Sequence, residues 1–142
     1  MRAEDIMTGD PLYAEETASV AEALALLSER EIRHLPIVRD GELVGIVSDR
    51  DFRGLGLSLV NDVESFEGLK RRMQRSVSEL TANTVVSVET ETPLEEIIDV
   101  LVEEKIGAVP VVEPGTMHMV GIVSVIDVLR AVRDNFDEDD ED

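Results

Sequence analysis

The sequence predicts an α/β (α+β) protein built from two β-α-β-β-α repeats, and three observations carry that expectation. The octet Val-Gly-Ile-Val-Ser-x-x-Asp is written twice, at 44–51 and at 120–127. Upstream of it, Val20, Ala23, Leu24, Leu27, Ile32 and Pro36 are matched by Leu94, Ile97, Ile98, Leu101, Ile106 and Pro110, so the offset from 20 to 94 holds across a whole unit. Between proline and glycine the second copy gains two residues (36 to 110, but 45 to 121), and the gain falls where Asp40-Gly41 faces Pro114-Gly115. Insertions belong in turns, and both dipeptides are turn signals.

Each unit opens with a brief strand, near Leu12-Tyr13-Ala14 and at Val85-Val86-Ser87-Val88. A helix follows. Val20, Ala23, Leu24 and Leu27 sit at i, i+3, i+4 and i+7, the spacing of one apolar stripe. Ser19 is its expected N-cap with Glu22 closing a capping box. In the second copy Thr92 is the expected N-cap, with Pro93 at the first helical position and Glu95 at N3. Two strands come next, Leu35-Pro36-Ile37-Val38 then Leu43 to Ser48, and Val109-Pro110-Val111-Val112 then Met119 to Ser124. Such near-continuous apolar runs suit strands covered on both faces. Helical spacing resumes over Asp49 to Leu57 and Val125 to Arg133. The resulting division is repeat one at 1–57, a partly helical connector at 58–75, repeat two at 76–133 and a tail at 134–142. The connector holds Lys70, Arg71, Arg72 and Arg75, with Gly68 weakening its helix. The tail is acidic almost throughout, with little to bury, and is expected to be disordered.

Composition narrows the function. There is no cysteine and there are two histidines, which excludes disulfides, thiolate sites and thiol nucleophiles and leaves little for zinc. Aromatic residues are 3% of the chain, so the core must be aliphatic. A formal charge of −19 repels DNA, RNA and anionic membrane surfaces. With no apolar signal core and no run of about 20 apolar residues, a soluble, cytoplasmic protein is expected. Phosphate-binding loops of the Gly-x-x-x-x-Gly-Lys type, nucleophile elbows and His-Glu-x-x-His motifs are absent, so no enzyme is expected and no catalytic residue is assigned.

Taken together, the β-α-β-β-α repeat, the apolar-Pro-apolar-apolar strand and Gly-Ile-Val-Ser-x-x-Asp before the last helix resemble a tandem pair of CBS domains, the regulatory unit called a Bateman module. The resemblance runs from about Ala3 to Arg133. It implies two repeats packed pseudo-symmetrically through their sheets, with clefts between them that accept AMP, ADP, ATP or S-adenosylmethionine as regulatory ligand and with no required cofactor. It also implies roles. Asp51 and Asp127 would hold the ribose hydroxyls, a pairing for which a carboxylate is suited. Ser48 and Ser124, at helix N-termini, would meet phosphate, joined in copy one by Arg33, His34 and Arg50. The segments before and including the prolines, Leu35-Pro36 and Gly107-Ala108-Val109-Pro110, would form the adenine wall. Arg50 is replaced by Ile126 in copy two, so the two sites are expected to differ, and Arg53 adds a further base to copy one.

Plainer readings stand beside these. Ser-x-x-Asp at a helix start is also an N-cap with an acid at the positive end of the dipole. His118 lies in a turn, and the basic connector is equally a solvated face. The expected partners are the adenosyl ligand, a second copy of the chain and an effector protein, with no nucleic acid and no membrane. The alternatives are a ligand-free dimerisation module and a Mg²⁺ sensor built from the surface carboxylates.

Overall fold

The computed structural model describes residues 1–52, 65–81 and 85–140, apart from the side chains of 65, 66 and 137–140. Arg53, Leu55 and Leu57, expected in the helix after Asp51, lie outside the described residues. The elements are α1 (Ala3–Ile6), β1 (Thr8–Gly9), β2 (Ala14–Glu15), α2 (Val20–Glu29), β3 (His34–Arg39) and β4 (Glu42–Ser48). Next come α3, described over 49–52, α4 (Ser65–Met73), a 3₁₀ turn (Val77–Leu80) and β5 (Val88–Glu89). The chain finishes with α5 (Leu94–Glu104), β6 (Ala108–Val112), β7 (Met119–Ser124) and α6 (Val125–Asp140).

The chain forms two compact units. One comprises Leu12–Val85, the other Met1–Pro11 together with Val86–Asp142. In the first, the sheet order is β2-β3-β4, with β2 parallel and β4 antiparallel to β3. In the second it is β1-β7-β6-β5, the same arrangement with β1 added antiparallel to β7 through Thr8↔Ile122 and Gly9↔Gly121. The repeat-equivalent residues 82 and 83 lie outside the described residues.

Why these residues make these elements is visible at each boundary. The Ser19 hydroxyl accepts from the Glu22 amide at 3.0 Å, and the Glu22 carboxylate accepts from the Ser19 amide at 3.3 Å, so the expected capping box is formed. Copy two departs from expectation. Pro93, not Thr92, is the cap residue, and the Thr92 hydroxyl instead accepts from the Glu89 amide at 2.9 Å, closing the turn that delivers the proline. Both helices end alike, with Glu31 at φ 53° and Lys105 at φ 56° in the left-handed region. The amides of Ile32 and Ile106 reach back to the carbonyls of Leu27 and Leu101, which is the Schellman closure.

Proline in a central strand needs an open side, because it has no N–H to give. It has one here: β2 pairs only from Ile37 and β5 only from Val111, so Pro36 and Pro110 precede the parallel ladder. Asp40 (φ 50°) and Gly41 (φ 82°) connect Arg39 to Glu42 as a two-residue turn with both central φ angles positive. The two extra residues of copy two do fall in the corresponding hairpin, between Val112 and Met119. The acidic end differs from expectation, since α6 continues through Asp140. Extending an existing helix avoids the unfavourable nucleation step, so even a poor composition can be carried along.

The leading segments are exchanged. The amide of Val20 donates to the carbonyl of Arg75 and that of Val77 to Ala18, while Leu94 donates to Met1 and Ala3 to Thr92. The 3₁₀ turn before repeat two thus completes the first unit, and α1 completes the second. Val77 joins the core of Ala14, Val20, Ala23, Leu27, Leu35, Ile37, Val47 and Phe52. Ala3 joins that of Val88, Ile97, Leu101, Val109, Val111, Val123 and Val128. The glycine of each octet is where the exchanged segment crosses. A Cβ at Gly45 would lie 2.7 Å from the Cβ of Thr81. One at Gly121 would collide with the Met7 thioether and lie 3.0 Å from the Thr8 carbonyl oxygen.

Gly45→Ala and Gly121→Ala are therefore each expected to cost about 1–3 kcal/mol by overpacking, read as a lowered urea midpoint. Gly9→Ala, with no atom within 4 Å of the new carbon, serves as the control and should change stability by less than about 0.5 kcal/mol.

Candidate functional site

In each unit the antiparallel ladder brings the start of one strand against the end of the next. His34 of β3 is directly opposite Ser48 of β4, and Ala108 of β6 is opposite Ser124 of β7. The corner is tightened by the backbone: the Asp49 amide donates to the Arg33 carbonyl and the Val125 amide to the Gly107 carbonyl, both at 3.0 Å. Residues read from separate stretches of sequence are thereby gathered into two corners, Arg33-His34 with Ser48-Asp51 and Gly107-Ala108 with Ser124-Asp127.

The two aspartates hold the helix starts. Asp51 Oδ2 accepts from the Ser48 amide at 2.7 Å and from the Ser48 hydroxyl at 3.2 Å. Asp127 Oδ2 accepts from the Ser124 amide at 2.9 Å, and the Ser124 hydroxyl accepts from the Asp127 amide at 3.1 Å. Both corners are thus caps in the ordinary sense. Among the described residues the second oxygen, Oδ1, of Asp51 and of Asp127 accepts nothing. Each carboxylate therefore combines an anchored oxygen with one left for another donor.

The surroundings are unequal. In the first corner Arg33 and Arg50 are exposed and form no ion pair among the described residues. In the second the corresponding neighbours are Gly107 and Ile126, the latter 55% exposed. The residues expected as the adenine wall are mostly interior: Leu35, Pro36, Val109 and Pro110 are fully buried and Ala108 nearly so. Their side chains serve the cores, and it is Arg33, half-buried His34 and Gly107 that border the open side of the corners.

His34, expected beside the ligand phosphate, is half-buried in the first corner. Burial pushes its pKa below the usual histidine value of 6.5, reinforced by Arg33 and opposed by the carboxylates of Asp49 and Asp51. At neutral pH the ring is uncharged, able to stack or to make neutral hydrogen bonds but not to neutralise a phosphate. Elsewhere, Arg39 grips Glu16 through two bonds of 2.6 and 2.8 Å, which holds the Glu16 carboxyl below its usual range. That pair joins the turn after β2 to the end of β3 opposite His34. Among the described residues no three His, Cys, Asp or Glu side chains gather as a metal site, and no helix is long and apolar enough to cross a membrane.

With the corners in view, the comparisons are specific. The CBS domain model matches twice, at residues 3–57 and 77–134, and the chain belongs to that family. Its fold is that of solved CBS pairs. It is 29% identical to CBSX2 solved in complex with AMP, with a TM-score of 0.78 over 94% of this chain and 96% of that one. Against the CBS domain pair of protein MJ0100, solved with 5′-methylthioadenosine and S-adenosyl-L-methionine, identity is 26% and the TM-score 0.75 over 95% and 98% of the two chains. Among curated sequences it is 31% identical to the A-adding tRNA nucleotidyltransferase of Aquifex aeolicus, over 97% of this chain but only 15% of that protein. It is 30% identical to the AMP-activated protein kinase gamma-3 subunit of Bos taurus over 82% of this chain and 23% of that protein. The chain thus spans under a quarter of either of these relatives.

The histidine carries a pH signature. Its folded pKa lies below the unfolded value, so the unfolded state binds the proton more readily. The stabilising effect is complete above about pH 6.5 and is lost as the pH falls through the folded value. Urea midpoints measured at pH 7.5 and 5.5 should fall more for the wild type than for His34→Asn. Equal slopes would show that burial of the ring is not what acid disturbs.

Proposed function

We propose that this CBS pair is a regulatory module that binds an adenosine-containing ligand of the AMP, ADP, ATP or S-adenosylmethionine type and passes its occupancy to an effector protein. The observation that carries the reading is the corner itself: in both units a Ser-x-x-Asp carboxylate is fixed by one oxygen, while the other accepts nothing among the described residues. Likeness to CBS pairs solved with AMP and with methylthioadenosine and S-adenosylmethionine adds the ligand class.

In this reading Asp51 and Asp127 accept hydrogen bonds from the vicinal ribose hydroxyls. The backbone of Arg33-His34-Leu35-Pro36 and Gly107-Ala108-Val109-Pro110 meets the adenine edge. Phosphates go to the first corner, where Arg33 and Arg50 offset the repulsion of a chain with charge −19 and Ser48 supplies a hydroxyl. The second corner, with Gly107, Ser124 and Ile126, suits an adenosyl ligand with an uncharged tail. A second copy of the chain is the proposed cover for Leu129 and Phe136 of α6 and Val102 of α5, which are 57%, 64% and 66% exposed. No catalytic step is assigned.

A ligand-free structural role is favoured by one observation, that both aspartates already have work as caps. Asparagine separates the two, because its amide oxygen can still accept from the serine amide while the charge is gone. Calorimetry with AMP, ATP and S-adenosylmethionine should show binding that Asp51→Asn or Asp127→Asn weakens by about 10- to 150-fold, with little change in melting temperature. That range corresponds to about 1.5–3 kcal/mol for a charged hydrogen bond. No heat from any of the three at millimolar concentration would leave the structural reading standing.

A further inference from the structure

The first unit carries a second concavity, away from the Ser-x-x-Asp corner in sequence and built from segments the corner does not use. Val20 at the start of α2, Arg72 in the last turn of α4, Arg75 just beyond that helix, and Glu79 and Leu80 of the 3₁₀ turn line a pocket of about 240 Å³. That is smaller than the roughly 300–1,000 Å³ typical of drug-sized ligands, so a nucleotide is too large for it and a small ion is not. Arg72, in the last turn of α4, and Arg75, two residues beyond the helix end, both line it. The Arg72 side chain has no hydrogen bond or ion pair among the described residues, and the Arg75 side chain has only a loose approach to Glu79 at 3.8 Å with both side chains more than half exposed.

The charge distribution gives the pocket its sign. A chain with 13 basic and 32 acidic residues places Lys70, Arg71, Arg72 and Arg75 within six positions. Favourable contact with the C-terminal end of the α4 dipole accounts for basic residues there. It does not account for two arginines lining one cavity together with Val20 and Leu80. The repeat does not preserve the lining: the counterparts of Val20, Arg75, Glu79 and Leu80 are Leu94, Met1, Asp5 and Ile6.

From this geometry we infer that the pocket is a binding site for a small polyvalent anion, a phosphate or polyphosphate group, held by Arg72 and Arg75. Planar guanidinium forks suit phosphate oxygens, and two of them select for multiple charge. The occupant would bridge α4 to the entry of α2, where the Val20 amide already holds the Arg75 carbonyl. It would therefore fasten the segment that carries Val77 into the core and Thr81 over Gly45. Anion binding and stability of the first unit are then linked.

Inorganic pyrophosphate is the probe, with sodium chloride matched for ionic strength. At 10 mM it should raise the melting temperature by about 4 °C, the shift for a Kd near 1 mM in a chain of this size. Arg72→Ser, which removes no side-chain bond among the described residues, should reduce the affinity at least fivefold, and the Arg72→Ser/Arg75→Ser double variant should abolish the shift. All these shifts are read in an Arg33→Ser/Arg50→Ser background, where the pyrophosphate shift should persist, so that the phosphate-accepting corner contributes nothing and the two proposals are tested apart. The inference is overturned if, in that background, matched salt gives the same shift, pyrophosphate gives none, or Arg72→Ser leaves the shift unchanged.

Discussion

Everything in this molecule depends on a crossing. Each octet places a glycine in the strand that ends the repeat's hairpin, and over that glycine passes the segment leading into the other repeat, Thr81 at Gly45 and Met7-Thr8 at Gly121. Only a residue without a side chain admits such an approach. The crossing brings hydrogen bonds from the exchanged segment to the start of α2 or α5, and an apolar plug, Val77 or Ala3, into each core. Units of this size are marginal alone, because a small domain buries too little of its surface. Exchange enlarges each one with residues from elsewhere in the chain.

The same arrangement fixes the corners. A strand pair with a one-residue register shift brings His34 to Ser48 and Ala108 to Ser124. The following helix then begins on a serine amide held by an aspartate. Symmetry of backbone is thus combined with asymmetry of charge. Copy one surrounds its carboxylate with Arg33 and Arg50; copy two surrounds its own with Gly107 and Ile126. In a protein this acidic, local cations decide where an anionic ligand can sit, since the general field opposes it everywhere. The neutral His34 sharpens the point: charge in that corner comes from arginine, whose ionisation does not vary in the physiological range.

Much of this was legible from local pattern. The apolar spacing of Val20 to Leu27, the Ser19–Glu22 box, the Asp40-Gly41 turn and the repeated octet all encode nearest-neighbour physics, and the structure keeps them. Three features were not legible, each for a reason. Thr92 looked like a cap because its neighbours fit the motif, but the turn before Pro93 claims its hydroxyl. The acidic end looked disordered from composition, which carries no information about the helix it continues. The exchange itself leaves no trace in either repeat alone: Gly45 and Gly121 occupy identical motifs, so nothing local says which leading segment crosses which strand. Within the candidate corners, residue identity was legible, but the burial of Leu35, Pro36, Val109 and Pro110 and the lowered pKa of His34 follow from packing that no short motif records.

The bonds from Val20 to Arg75 and from Leu94 to Met1 are the same bond written one repeat apart, as are those from Val77 to Ala18 and from Ala3 to Thr92. None of these bonds involves a residue of either corner. A substitution at Arg33, Arg50, Gly107 or Ile126 therefore leaves the exchanged frame untouched, and the two corners can carry different charge on one unchanged scaffold.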